Sequence, residues 1–277
     1  MKPFKKHNLQ HVQTPSKRLI GFKPNWPAPD FVQALMTTRD GGVSEAPWNS
    51  LNLGDHVGDN PEHVQANRAL VAQAMQAPAI YLRQVHGVKG VAIDLHTPDH
   101  TEADVAWTSE TGVACTMMVA DCLPILVCHP HQKWVAAAHA GWRGLAGENG
   151  HGVVETLAAT VRLQGLLPKD CLVWLGPCIG PTAFEVGPEV LKAFESQIPE
   201  RSSKTFFVPT AQGKFMADLA GLAKHRLQLA GFQNLYGNDS SLSWCTYQQT
   251  SKYHSHRRDA ALLGSAGRMA AYIWITA

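Results

Sequence analysis

The stretch VACTMMVADCLPILVCHPHQKWVAAAHAGWR, residues 113–143, decides how the rest of this chain is read. Three apolar, β-rich runs lie in it or just within its ends: Val113 to Val119, Ile125 to Cys128 and Trp134 to Ala138. Each is short for a packed helix, and only a few polar residues separate them. Upstream, Ile80 to Val85 and Gly90 to Ile93 read the same way. Five strands with short turns and no helix between them predict an antiparallel or mixed sheet, not a doubly wound parallel one. Asp121 and Pro124 interrupt the longest apolar stretch, so it is no membrane span.

The breaks between these runs hold the chemistry. His86 sits in a turn after a strand, Cys122 follows the charge that interrupts an apolar run, and His139 ends "WVAAA" just before Gly141. Two imidazoles and a thiolate suit a borderline-soft ion such as zinc. Three protein ligands leave a coordination position open, which is the catalytic arrangement. Each residue alone has a duller explanation. A His at a strand end is commonly a hydrogen-bonded structural residue, and a Cys in an apolar run a small buried hydrophobe. No two of the three fall at a short C-x-x-C or H-x-x-x-H spacing.

Outward from that stretch, Phe31 to Thr38 reads as a strand running into a turn at Asp40-Gly41-Gly42. "PWNSLNLGDHVGDN" is an irregular polar loop, and Asn60 caps a helix with Pro61 in its first turn. That helix carries Val64, Leu70, Val71, Ala74 and Met75 as its stripe. "HTPDHTEADVAW" reads as a polar connection containing Asp104. After the Gly-rich bend at His139, Val153, Val154, Leu157, Ala158 and Val161 predict a second helix ending at Gly165. Cys171 to Leu175 is a strand, Pro188 to Phe194 a short helix, and residues 197–213 a polar loop. Met216, Leu219, Ala220, Ala223, Leu227 and Ala230 predict a third long helix, and Met269 to Ile275 a closing strand. His129 and His131 flank Pro130 in a turn and read as exposed. No internal repeat or linker composition appears, which predicts one domain over residues 21–277 behind a loose basic tail at 1–20.

At 277 residues the chain can bury a large core. A net charge of +2 gives no reason to expect nucleic acid or an acidic membrane face as partner. The basic N-terminus has no apolar run after it and does not read as a signal peptide. Six cysteines without the dense spacing of a secreted scaffold read as reduced thiols in a cytoplasm.

The passages "TTRDGGVS", "SLNLGDHVGD", "RQVHG", "ADCLP", "HAGWRG", "GPCIG", "FEVG" and "HSHRRD" follow one another in this order. In that order they resemble the YfiH/YlmD family of bacterial proteins, also called the multicopper polyphenol oxidoreductase (laccase) or peptidoglycan editing factor family. The resemblance spans roughly residues 31–276. It implies an α+β domain, a four-layer α/β/β/α sandwich with mixed sheets. It implies a mononuclear zinc held by His86, Cys122 and His139, with copper as the metal of any oxidase activity. It also implies purine nucleoside phosphorylase activity, on adenosine, inosine, guanosine and methylthioadenosine with inorganic phosphate, and adenosine deaminase activity. Two departures stand out: His256 replaces a customary aromatic, and "AALLGSA" lengthens the segment after "RRD".

Deamination needs a carboxylate to move protons, and Asp121 and Asp104 are the candidates, each equally suited to orienting a ligand imidazole instead. Phosphorolysis needs cations for phosphate. Arg39, before its Gly-Gly turn, is the leading candidate, with Asn52 as neighbour and Arg143 in support; Arg257 and Arg258 are further options. Three other readings compete. In one, Cys122 is the nucleophile of a metal-free hydrolase or a peptidoglycan-precursor editing amidase, with His139 or His86 as base. In another the chain is a copper phenol oxidase, for which "HSH" at 254–256 and "HPH" at 129–131 are few ligands. In the last it binds a cell-wall precursor without turnover.

Overall fold

The computed structural model describes residues 10–13, 19–198 and 200–276. In chain order the first strands are β1 (Gln10–Gln13), β2 (Leu19–Lys23), β3 (Val32–Thr37), β4 (Ala79–Ile80) and β5 (Gly90–Ala92). Next come β6 (Val105–Thr108), β7 (Ala114–Val119), β8 (Leu123–Cys128), β9 (Val135–Ala140) and β10 (Leu172–Leu175). The last are β11 (Glu185–Val186), β12 (Phe207–Pro209), β13 (Phe215–Ala217), β14 (Asn234–Gly237) and β15 (Met269–Ile275). One six-stranded sheet runs β1-β2-β3-β15-β7-β4, a second β14-β10-β8-β9-β6-β5, and β11, β13 and β12 form a small third sheet. Both large sheets are mixed. Their central pairs are antiparallel, while β4 with β7, β5 with β6 and β10 with β14 are parallel.

Side-chain alternation makes the layers. Along β7, Cys115, Met117 and Val119 face the second sheet, and Ala114 and Met118 turn the other way. Along β15, Met269, Ala271, Ile273 and Ile275 point inward and Ala270, Tyr272 and Trp274 outward. On the second sheet, Leu126, Cys128, Val135 and Ala137 meet that inner core, while Leu123, Ile125, Val127, Ala136 and Ala138 face away. Each outer face is covered by helix. Val71 and Met75 of helix Pro61–Met75 cover the first sheet. Helices Val153–Leu163 and Leu219–Leu229 cover the second. The result is the four-layer α/β/β/α sandwich.

Local chemistry explains the ends. Asn60 accepts from the Glu62 amide at 3.0 Å and Pro61 fills the first turn, so the cap is as expected. Asn67 joins the buried stripe of that helix, where its amide pins the loop at residues 43–52 rather than the core. Five expectations change. Val105 to Thr108, hidden in an apparently polar connection, is a buried strand between β9 and the edge strand β5. The expected strand from Ile80 to Val85 shortens to Ala79–Ile80. Residues 197–213 contain helix Glu200–Phe206 and strand β12, not a loop. Met216 belongs to β13, so the third helix starts only at Leu219, capped by Asp218. His129 is buried because its Nδ1 accepts from the amides of His131 and Gln132 and closes the turn.

The tail expected at residues 1–20 falls mostly outside the described residues. Within them, Gln10–Gln13 pairs antiparallel with Leu19–Lys23, so ordered ladder begins before residue 21. Among the described residues no helix is long and apolar enough to cross a membrane.

Candidate metal centre

The turn from β7 to β8 carries the chain from one sheet to the other, and Asp121 and Cys122 sit in it. Asp121 adopts φ 88°, a left-handed conformation held by the contacts of its own carboxylate and carbonyl. Its Oδ1 accepts from Thr246 Oγ1 at 2.6 Å, its Oδ2 from the Arg257 amide at 2.7 Å and its backbone oxygen from the Ile179 amide at 2.9 Å. Strands β8 and β9 then pair with Leu123 opposite Ala140 and Pro124 opposite His139. That register brings Cys122 beside the end of β9. His86 arrives from the loop between β4 and β5.

The ligating atoms of His86, Cys122 and His139 lie within 4.8 Å of one another. Cys122 Sγ is 3.7 Å from His86 Nε2, and the two imidazole rings are 4.7 Å apart, edge to face. Gly141 makes room for this. A Cβ there would lie 2.8 Å from His86 Cδ2 and 3.0 Å from Cys122 Sγ.

Asp104 organises the cluster from behind. It is fully buried, directly before β6. Its Oδ1 accepts from His139 Nδ1 at 2.8 Å and from the His86 amide at 3.1 Å. Its Oδ2 accepts from the amides of Val85 at 3.1 Å and Gly87 at 2.8 Å. One carboxylate thus shapes the loop of one ligand and fixes the tautomer of another, leaving His139 Nε2 facing the cluster. Burial alone would raise the Asp104 carboxyl; His139 and the amides of Gly87 and Val85 outweigh it and hold it below the usual range. Burial likewise opposes ionisation of Cys122, but His139 and His86 bring the thiol down to about 6. His139 is lifted to about 9, against its own burial, by Cys122 and Asp104. A thiolate with two imidazoles, one of them oriented by a carboxylate, fits a borderline-soft ion and fits it with a position open. The other buried thiols behave differently. Burial pushes Cys115, Cys128 and Cys178 upward, so the Cys178 of "GPCIG" is a core residue.

The cluster opens into a cavity of about 750 Å³. Asp121 lines it, together with Arg83, Arg257, Arg268, His56, His100 and His256. The remaining residues singled out from sequence stand elsewhere. Arg39 donates to the carbonyls of Asn49 and Thr250 and does not line the cavity. Asn52 is fully buried, bonded to Asp59, to Gly54 and to the Arg268 amide. Arg143 stacks on the Trp142 ring at 4.3 Å, also outside the lining. Arg258 is spent on Asp259 and on the carbonyls of Thr246, Tyr247 and Tyr253. Sequence reasoning passed over Arg268, whose one signal was a cation directly before the closing apolar strand.

Comparison with known proteins agrees with this architecture. Residues 33–276 match the family described as multi-copper polyphenol oxidoreductase laccase. A Pseudomonas aeruginosa protein named purine nucleoside phosphorylase is 46% identical over 254 residues, covering 91% of this chain and 97% of its own. The Escherichia coli protein named purine nucleoside phosphorylase YfiH is 41% identical over the same shares of the two chains. The crystal structure of YlmD from Geobacillus stearothermophilus superposes with a TM-score of 0.84 at 29% identity, over 97% of this chain and all of that one. With the motif order, the four layers and the His-Cys-His cluster all in place, the chain belongs to the multi-copper polyphenol oxidoreductase laccase family, which its relatives show to include the YfiH and YlmD proteins.

Proposed function

We propose that this protein is a zinc-dependent purine nucleoside phosphorylase in which adenosine deamination uses the same cavity. The observation that carries the reading is the pairing of the His86, Cys122 and His139 cluster with a cation-rich cavity. Its volume of about 750 Å³ is within the range of small-molecule sites. Relatives named purine nucleoside phosphorylase and covering nearly the whole chain support the same substrates here.

A zinc ion bound by His86 Nε2, Cys122 Sγ and His139 Nε2 would supply Lewis acidity at its open position. The chain's own groups do the rest. Asp104 keeps Nδ1 of His139 protonated and the ligand loop in place, so it is a positioning residue. Asp121 lines the cavity, and each of its oxygens retains an acceptor lone pair beyond its bonds to Thr246 and Arg257. We assign it the proton transfer to the departing amine or base. In phosphorolysis the C1′–N9 bond breaks, a phosphate oxygen bonds C1′, and the purine leaves with the electron pair and gains a proton. The cationic side of the cavity holds the phosphate against C1′. We place the enzyme in the cytoplasm, a reading supported by six cysteines all unpaired.

The test is product analysis after incubation with adenosine, with and without phosphate. Adenine and ribose 1-phosphate formed only with phosphate is the expected result, with inosine formed in either case. Neither product from metal-loaded protein would overturn the reading. The depressed thiol of Cys122 keeps one second reading in view, a cysteine hydrolase. Covalent trapping of Cys122 in protein that works without metal would establish it.

A further inference from the structure

Resting on the phosphorylase reading, the structure assigns a phosphate site to Arg268: we propose that its guanidinium grips a phosphate dianion inside the cavity beside the His86, Cys122 and His139 cluster. Three guanidinium groups, of Arg83, Arg257 and Arg268, line the cavity, and they differ in how deeply each is set. Asp55 faces Arg68 at 3.1 Å and His56 and His100 at 3.5 Å. Asp121 is held by Thr246 and the Arg257 amide. Arg83 is paired with Glu102, and Arg257 Nη1 donates to the Glu185 carbonyl at 2.8 Å. Arg268 differs. Its Nη1 donates to the Ala266 carbonyl at 2.9 Å and more weakly to Gly267 at 3.4 Å. Its Nε and Nη2, the adjacent edge that binds an oxyanion bidentately, have no bonded partner among the described residues.

A surface arginine with a free edge is ordinary, but this one is built in. The residue is half-buried, directly before the first residue of β15. Its amide donates to Asn52 Oδ1 at 2.8 Å and its carbonyl accepts from the Leu53 amide at 3.0 Å. Its Cγ lies 2.7 Å from where a Cβ of Gly54 would be, so only glycine leaves space for the stem. Asn67 in turn fixes the loop, donating to the Asn52 carbonyl at 2.8 Å. Asn52, read from sequence as a neighbour at the phosphate site, therefore acts at one remove: it does not touch the ligand but holds the arginine that does. Arg39 and Arg143, outside the cavity lining, are free of this task.

Inorganic phosphate and the phosphoryl group of a nucleoside 5′-monophosphate share this chemistry, and the experiment separates them. Metal-loaded wild-type protein, Arg268→Met and Arg268→Lys are titrated calorimetrically with inorganic phosphate and with adenosine 5′-monophosphate. Initial rates of base release are measured over a range of phosphate and nucleoside concentrations. Melting temperature and metal content check each variant. Arg268→Met is expected to weaken phosphate binding and raise the phosphate KM by about 10- to 100-fold, leaving the nucleoside KM and the metal in place. Arg268→Lys, which keeps charge but not the fork, is expected to fall between, and decides the matter if the methionine variant fails to fold. Loss of monophosphate binding alone would keep the oxyanion site and name the nucleotide as its source. Both affinities unchanged would overturn the assignment. Base release with an unchanged phosphate KM in the variants would sink Arg268 and leave phosphorolysis standing. Arginine-dependent phosphate binding without base release would do the reverse.

Discussion

The metal cluster and the cationic side of the same cavity are held by different means. Cys122 and His139 sit at the ends of adjacent strands whose register, Leu123 opposite Ala140, sets their separation. A single buried carboxylate, Asp104, then ties the third ligand's loop to them. The other charged and imidazole side chains of the cavity come from segments remote in sequence: residues 55–56, residue 100, the helical turn holding His256 and Arg257, and Arg268 directly before β15. The first arrangement gives fixed donor geometry, which a metal demands. The second gathers several polar groups from distant parts of the chain around one cavity, which suits a substrate with more than one polar group.

Substitutions can break this contrast. The largest effect is expected from Cys122→Ser or His139→Ala, each removing a ligand with no substitute nearby. Bound metal should be lost and turnover should fall more than about 100-fold, by metal analysis and base release. Asp104→Asn should follow, lowering metal affinity by about 10- to 100-fold in a competition titration while every ligand remains. If affinity were unchanged, the geometry of the cluster would owe nothing to Asp104.

His254 tests the cationic side. It is fully buried, neither ring nitrogen has a hydrogen-bond partner among the described residues, and it packs against Gly267 beside Arg268. Burial, then Arg39, Arg268 and Arg258, holds its imidazole down to about 3, against the pull of Asp259. The folded pKa lies below the ordinary 6.5, so as pH falls the unfolded chain is protonated first. This contribution to stability is intact above 6.5 and declines from there toward 3, by about 1.4 kcal/mol per pH unit. Urea unfolding from pH 7 to pH 4 should show a shallower decline in His254→Phe than in wild type. Equal slopes would mean the imidazole is not kept neutral. The smallest effect is expected for Arg143→Ala. It loses one exposed stacking contact, about 0.5–1 kcal/mol in a melt, and leaves the phosphate KM where it was.

The same contrast explains what could be read from the sequence. His86, Cys122 and His139 stand at the breaks of apolar runs, where a polar residue calls for a reason, while the four layers came from the family resemblance, because β7, β9 and β15 are buried on both faces and show no polar alternation. The strand Val105–Thr108 was masked because Asp104 and Glu102 precede it, although that charge is what the metal site needs. The third helix was extended to Met216 because a strand residue happened to fall on its helical period. The Gly-Gly turn after Arg39 draws the phosphate reading to a residue that the fold keeps out of the cavity lining. A lone arginine gives no sign of its role until Asn52 and Gly54 are brought to it from more than 200 residues away in sequence.

The central claim is that the cluster of His86, Cys122 and His139 binds the metal on which purine nucleoside turnover depends. Its most direct test is to strip metal from the purified protein, measure phosphate-dependent base release from adenosine, and restore zinc. The account predicts one zinc per chain as isolated, activity lost on removal and regained on addition, and no recovery in Cys122→Ser. Undiminished base release from metal-free protein would contradict it.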